Sequence, residues 1–218
     1  MKITVVRDML EANERIARQN REIFDENNLM VINLMSAPGS GKTILLERSI
    51  DALKDEIRMG IIEGDIQSSR DAERVARKGV PTVQINTGSA CHLDGNMIRD
   101  TFKDFDFRSL QLLVVENVGN LVCPAEFNIG EHYKIMMLSV TEGDDKPAKY
   151  PLMFRISKVL LINKIDLLPY VDCSIERIEE ESKKINPDLI IFRISCKTGE
   201  GLNDWYSWLR EKIKNKEK

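Results

Sequence analysis

The chain has 218 residues, with 32 Lys and Arg against 35 Asp and Glu for a formal net charge of -3, and it is 42% hydrophobic and 31% charged. That suits one α/β domain with an appendage, would cramp two full domains, and gives no electrostatic case for nucleic acid or an anionic membrane as the main partner. No run approaches the roughly 18 apolar residues of a membrane span, and the opening MKITVVRDMLEANERI lacks an apolar core of signal-peptide length, so a cytoplasmic location is expected.

In chain order, Leu10, Ile16, Ala17, Ile23 and Phe24 recur at helical spacing among charged residues, which predicts an amphipathic helix over 7–27. It packs on the domain or meets a partner. We therefore divide the chain into an N-terminal helical extension, 1–28, and an α/β domain, 29–218.

The apolar β-type run 30–35 breaks into Ser36-Ala37-Pro38-Gly39-Ser40-Gly41, and Lys42 and Thr43 open a helical pattern. In this strand, loop and helix setting, Gly39, Ser40 and Gly41 let the backbone wrap its N–H groups around phosphate oxygens, and the helix N-terminus adds a partial positive charge. Lys42 is then expected to reach the β and γ phosphates and Thr43 to hold Mg²⁺. The strict pattern GxxxxGK[ST] asks for glycine where this chain has Ser36. A serine- and glycine-rich turn with a solvated lysine is the bland alternative, and the flanking strand and helix argue against it.

Beyond this loop two periods alternate. Strands are predicted over 58–63, 81–85, 110–115, 134–140, 158–162 and 189–194, and helices over 43–56, 69–78, 95–102, 175–185 and 202–214. With the first strand this predicts an α/β fold, a doubly wound, mostly parallel sheet of about seven strands with helices on both faces, in which ligands sit at the carboxyl ends of strands.

The loops after strands carry the candidate chemistry. Asp65, in the Glu63-Gly64-Asp65-Ile66 turn, is a carboxylate that either contacts the Mg²⁺ shell or orients an attacking water. Glu116 opens Glu116-Asn117-Val118-Gly119, where many GTPases carry DxxG, and is placed to bind Mg²⁺ directly or through water. Gly119 can donate its N–H to a γ-phosphate and sense its loss. Lys42, Asp65 and Glu116 make the expected catalytic set. Lys146 and Lys149 contact phosphate, in their own or a neighbouring subunit, or are surface lysines; His132 reads as a surface residue.

Asn163-Lys164-Ile165-Asp166 has the form NKxD at the end of an apolar run. The Asp166 carboxylate can accept from both the ring N–H and the exocyclic amino group of guanine, a donor pair that adenine lacks. Lys164 would lie along the base and Asn163 would tie neighbouring loops together. Ser195-Cys196-Lys197 resembles the SAK loop whose backbone N–H approaches guanine O6. Four widely scattered cysteines, at 91, 123, 173 and 196, favour thiol or metal chemistry over a disulfide framework.

In order and spacing, NLMSAPGSGKT, EGDIQSSRDAER, Cys91-His92, ENVGNLVCP and NKIDLLP resemble the HypB family, GTPase accessory proteins of nickel incorporation into nickel-iron hydrogenase. The likeness runs from the N-terminal helix to Trp208, and ENVGNLVCP is its most specific part. It implies hydrolysis of GTP to GDP, a GTP-dependent homodimer, a HypA-type nickel chaperone and the hydrogenase large subunit as partners, and a Ni²⁺ or Zn²⁺ site at Cys91, His92 and Cys123. Turnover is expected to be slow because no arginine finger or activating glutamine is evident in these loops. Thiolate and imidazole suit either metal. Without the resemblance these three read as ordinary partly buried residues. Missing ligand positions would be filled by water or by a second copy of the site across the dimer. No cysteine precedes Cys91 and there are only two histidines, so nickel storage is not expected. Rival readings are a GTPase for another metalloenzyme such as urease, a metal-storage module, or a P-loop kinase of a small molecule.

Overall fold

A computed structural model describes residues 5–66 and 70–216. Seven strands, β1 (Met30–Ser36), β2 (Met59–Asp65), β3 (Thr82–Asn86), β4 (Leu112–Glu116), β5 (Tyr133–Ser139), β6 (Val159–Asn163) and β7 (Ile190–Arg193), form one sheet in the order β3-β2-β4-β1-β5-β6-β7. Every neighbouring pair is parallel. The expected doubly wound fold is observed, with a sheet more uniformly parallel than predicted. Helices are α1 (Val5–Glu26), α2 (Lys42–Leu53), α3 (Arg70–Ala76), α4 (Gly95–Asp100), α5 (Cys123–Glu126), α6 (Lys146–Lys149), α7 (Pro151–Ile156), α8 (Ile175–Ile185) and α9 (Leu202–Lys216).

The central strands are apolar on both faces because helices cover both, and successive side chains alternate between them. Ile32 and Leu34 of β1 join the core under α2 and α9, where Trp205 and Trp208 stack at 5.4 Å. Val31 points the other way, into a cluster with Phe24 of α1, Leu113, Val115 and Ile98 of α4. Met35 belongs with Leu160, Ile162, Phe154 of α7 and Ile178 of α8.

α1 is held by more than its apolar stripe. Asn13 Oδ1 accepts from the Gly95 N–H at 2.8 Å, and the fully buried Asn20 donates to the Gly95 and Ile129 carbonyls at 2.8 and 3.1 Å. Such amides satisfy backbone groups that burial would otherwise leave without partners.

Three expectations need correction. Asp65 is not in a turn but closes β2, because the ladder with β3 continues to the Asp65–Asn86 pair. His132 is largely buried. Its Nδ1 accepts from the Val31 N–H at 3.0 Å, its Nε2 meets Asp25 at 2.8 Å, and burial pushes its pKa down to about 4. α5, α6 and α7 were absent from the predicted pattern; each is only 4 to 6 residues long and carries proline at its start, too short for a helical period to register.

Candidate nucleotide and metal site

The loop between β1 and α2 turns on two glycines with positive φ, Gly39 at 76° and Gly41 at 107°. A side chain at Gly41 would also strike Asn163 Nδ2 at 2.6 Å, so this position is glycine for both torsion and space. Ser36 ends β1 fully buried, and its hydroxyl accepts from Lys42 Nζ at 3.0 Å. Lys42 Nζ is also 3.8 Å from Glu116 Oε1, to which Thr43 Oγ1 donates at 3.4 Å. Ser40 Oγ lies 2.7 Å from Ala37 O and 2.9 Å from Glu142 Oε1, two acceptors that share its one proton, which fixes the loop to the start of the segment after β5.

Above the loop lies a cleft of about 420 Å³, lined among others by Gly39, Gly41, Lys42, Thr43, Asp65, Glu116 and Gly119. The structure therefore brings the predicted phosphate, Mg²⁺ and catalytic residues to one cavity, except Ser40, whose side chain is buried beneath the loop and does not line it. Gly119 lies flat on the loop. A Cβ there would come within 3.0 to 3.1 Å of three Pro38 atoms, two of them backbone.

One residue of this cleft escaped the sequence reading. Glu63 is buried next to Glu116, its register partner across the β2–β4 pair. Burial first, and then the Glu116 charge, pushes Glu63 up to about 10; burial likewise raises Glu116, against the pull of Lys42. Glu63 Oε1 and Glu116 Oε2 are buried without a hydrogen-bond partner. Two buried carboxylates beside one hydroxyl and one ammonium are hard oxygen donors of the kind that suit Mg²⁺, so the donor set fits that ion. The available signal was the charged pattern EGD closing a buried strand.

The loops after β6 and β7 meet the loop between β1 and α2. Asn163 donates to Ser40 O at 2.7 Å and accepts from the Cys196 N–H at 3.0 Å, so one side chain joins three loops. Lys164 Nζ donates to Gly39 O at 2.7 Å. Ser195 Oγ donates to Asp166 Oδ1 at 2.6 Å, orienting the carboxylate. Arg48 of α2, which the sequence reading did not single out, donates to the carbonyls of Cys196 and Lys197 at 3.2 and 3.0 Å. The Lys197 side chain is exposed, and burial pushes the Cys196 thiol up to about 12. Lys149 pairs with Asp145 at the surface, Lys146 lies over the Tyr150 ring, and neither lines the cleft.

Cys91, His92 and Cys123 converge although 32 residues separate the thiols. Cys91 Sγ is 2.8 Å from Cys123 Sγ and 3.7 Å from His92 Nδ1, and one ligand atom from each residue falls within 4.8 Å of the others. His92 stacks on Phe127 at 3.8 Å, and Asn120 Nδ2 donates to Cys91 O at 3.3 Å. The Cys91 thiol, and then burial, hold Cys123 above the ordinary thiol range, while burial lowers His92. A soft S₂N set whose imidazole is kept neutral and whose thiols crowd each other is chemistry that a Zn²⁺- or Ni²⁺-like cation would relieve. Cys173 and Cys196 lie outside this group.

Residues 30–193 match the family profile described as CobW/HypB/UreG, nucleotide-binding domain. The hydrogenase maturation factor HypB of Azotobacter chroococcum mcd 1 is 45% identical over 207 residues, 95% of this chain and 68% of that protein. The probable hydrogenase maturation factor HypB of Methanocaldococcus jannaschii is 39% identical, with 97% of this chain and 96% of that protein covered. The crystal structure of HypB from Helicobacter pylori in complex with nickel superposes with a TM-score of 0.89 at 39% identity, covering 94% of this chain and 96% of that one. HypB from Archaeoglobus fulgidus superposes with a TM-score of 0.88 at 42% identity, covering 93% and 99%. Matched over most of its length in sequence and fold, and carrying the phosphate loop that such a domain requires, the chain belongs to the CobW/HypB/UreG family of nucleotide-binding proteins.

Proposed function

We propose that this protein hydrolyses GTP to GDP and phosphate and uses its nucleotide state to govern nickel delivery during nickel-iron hydrogenase maturation. The observation that carries the reading is a single segment: Glu116 sits beside Lys42 and Thr43, and seven residues later Cys123 touches Cys91. One short stretch of backbone thus serves both the phosphate cleft and the thiol pair.

In this reading the N–H groups of Gly39, Ser40 and Gly41 cradle the phosphates, and Lys42 moves from Ser36 onto the β and γ oxygens as charge develops there. Thr43 and Glu116 would hold Mg²⁺, which when bound supplies Lewis-acid neutralisation of the same oxygens. Asp65 either joins that shell or orients the attacking water. Gly119 donates to the γ-phosphate and relaxes when it leaves. Asp166 reads the guanine edge, Lys164 covers the base, the backbone of Ser195, Cys196 and Lys197 faces O6, and Asn163 holds these loops in register. Nickel is cargo, bound at Cys91, His92 and Cys123, with Zn²⁺ as the competing ion.

The same reading assigns residues 29–218 to the GTPase domain and 1–28 to a helical extension. It takes the active form to be a GTP-dependent homodimer in the cytoplasm that works with a HypA-type nickel chaperone and the hydrogenase large subunit. Among the described residues no helix is long and apolar enough to cross a membrane. Support for the hydrogenase target comes from the relatives named hydrogenase maturation factors. GTP against ATP binding, followed by hydrolysis with Lys42→Ala, tests the enzymatic part. We expect binding of GTP over ATP and loss of hydrolysis in the variant; equal affinities or unchanged turnover would sink the assignment.

A further inference from the structure

Behind the two sites, polar side chains that the apolar core does not need form a connected path. Asn117 follows Glu116, and its amide oxygen accepts from the Val118 N–H at 2.9 Å and from the Leu93 N–H at 3.1 Å. Its amide nitrogen donates to Asn33 Oδ1 at 3.1 Å. Asn33, in the middle of β1, donates in turn to Glu131 Oε1 at 3.3 Å. Glu131 accepts from the Ile129 N–H at 2.8 Å through its other oxygen and lies 3.6 Å from Lys134 Nζ. That ammonium donates to the carbonyls of Phe127 and Ala125 at 3.2 and 3.3 Å.

The path ends on both halves of the thiol–imidazole triad. Leu93 directly follows Cys91 and His92, so the Asn117 oxygen pins the turn that carries them. Phe127 is the ring on which His92 stacks, and Ala125 and Phe127 lie on the segment that begins at Cys123. All four side chains are at most 8% exposed. A charged pair and two amides in such a place are a poor way to gain stability, since apolar residues of similar volume usually do as well or better. A fully bonded polar network does, however, have few alternative arrangements, so a displacement at one end is passed along.

We propose that Asn117, Asn33, Glu131 and Lys134 are positioning residues through which the nucleotide state of the Glu116–Gly119 segment sets the geometry of Cys91, His92 and Cys123. This rests on the nucleotide-coupled reading above and names the route that coupling takes. A single Asn117 oxygen serves the Val118 N–H of the phosphate segment and the Leu93 N–H of the ligand turn. When that segment re-aims, the bond to Leu93 changes with it. Asn33 holds the other end of the amide to a rigid central strand, and through Glu131 and Lys134 the second ligand segment is referred to the same point.

Hydrogen exchange on the intact, metal-free chain tests this, with GDP compared against a non-hydrolysable GTP analogue in peptides covering 91–97 and 123–131. The parent is expected to exchange differently in the two states. Asn33→Leu, whose site is outside the cleft lining, is expected to shrink that difference by a factor of about 2 to 30, the range of a perturbed coupling, while GDP affinity stays within about twofold. Removing only a structural support would raise exchange in both states and leave the difference between them. The double variant Glu131→Gln/Lys134→Met removes the ion pair without stranding a charge, and provides the same readout if Asn33→Leu does not fold. A parental difference that survives in the folded variants overturns the relay and leaves the functional reading standing. No difference in the parent overturns the relay and the nucleotide-coupled reading together, and in that case alone.

Discussion

Lys42 Nζ donates to Ser36 Oγ at 3.0 Å, so the side chain that departs from the generic phosphate-loop pattern is the resting partner of the loop lysine. Ser36 donates its own proton to Ala37 O at 2.7 Å, which turns a lone pair toward the ammonium. In the proposed reading phosphate draws Lys42 away, and the contact then belongs to the empty loop alone. Ser36→Ala is expected to lower the unfolding free energy of the empty protein by about 1 kcal/mol. It is expected to tighten GDP by up to about fivefold, since the Lys42 contact is lost only from the empty state while the bond to Ala37 O is lost from both. Thermal melts and calorimetric titration check both; weaker GDP binding would contradict the assignment.

Glu63 predicts a pH dependence. Its pKa is raised from 4.5 to about 10 by burial and by Glu116, so between those values the folded state holds a proton that the unfolded state has released. Stability from this group is therefore lost as pH rises through that window, with a slope of up to about 1.4 kcal/mol per pH unit. Glu63→Gln keeps the neutral form at every pH. Urea unfolding of the metal-free, nucleotide-free protein at pH 5, 7 and 9 should give a flatter profile for the variant; parallel profiles would show that Glu63 is not protonated in the fold.

Asp166 is expected to set base choice. Asn in its place offers a donor where guanine also presents donors, and it complements the carbonyl that xanthine carries at that position. Asp166→Asn should weaken GTP by about 100-fold or more, the loss of two charge-assisted hydrogen bonds, and should recover binding with xanthosine triphosphate. Retained GTP preference would remove Asp166 from the base site.

At Gly119 the constraint is steric. A methyl group would press on the Pro38 backbone at 3.1 Å, and backbone cannot swing aside as a side-chain tip can. Gly119→Ala is expected to weaken a non-hydrolysable GTP analogue by about tenfold while GDP changes by less than about threefold, because in the proposed reading only the γ-phosphate takes the Gly119 N–H. Equal losses for both nucleotides would place the defect in the loop as a whole.

What the sequence made legible was whatever depends on neighbours in the chain. The strand, loop and helix around Lys42, the NKxD run and the seven apolar stretches are local patterns, and local patterns set fold class. Asn33, Glu63, Asn117 and Glu131 acquire meaning only through partners distant in the chain. Asn33 and Glu131, for example, are 98 residues apart, and nothing near either announces the other. His132 was misread for the same reason, since Asp25 lies 107 residues away. Asp65 looked like a turn residue because strand ends depend on the partner's ladder, which continues to Asn86. Cys91 and Cys123 were suggested by the family resemblance of their flanking segments; their 2.8 Å approach is a product of the fold.

The central claim is that the nucleotide at Lys42 and the metal at Cys91, His92 and Cys123 respond to each other. The most direct test is nickel affinity and particle size measured with GDP and with a non-hydrolysable GTP analogue, for the parent and for Cys91→Ala/Cys123→Ala. The account predicts that the parent changes both nickel affinity and oligomeric state with nucleotide, by about 5- to 150-fold in affinity, and that the double variant loses nickel binding while still binding GDP. A parent whose nickel affinity is the same with either nucleotide, or a double variant that binds nickel as the parent does, would contradict it.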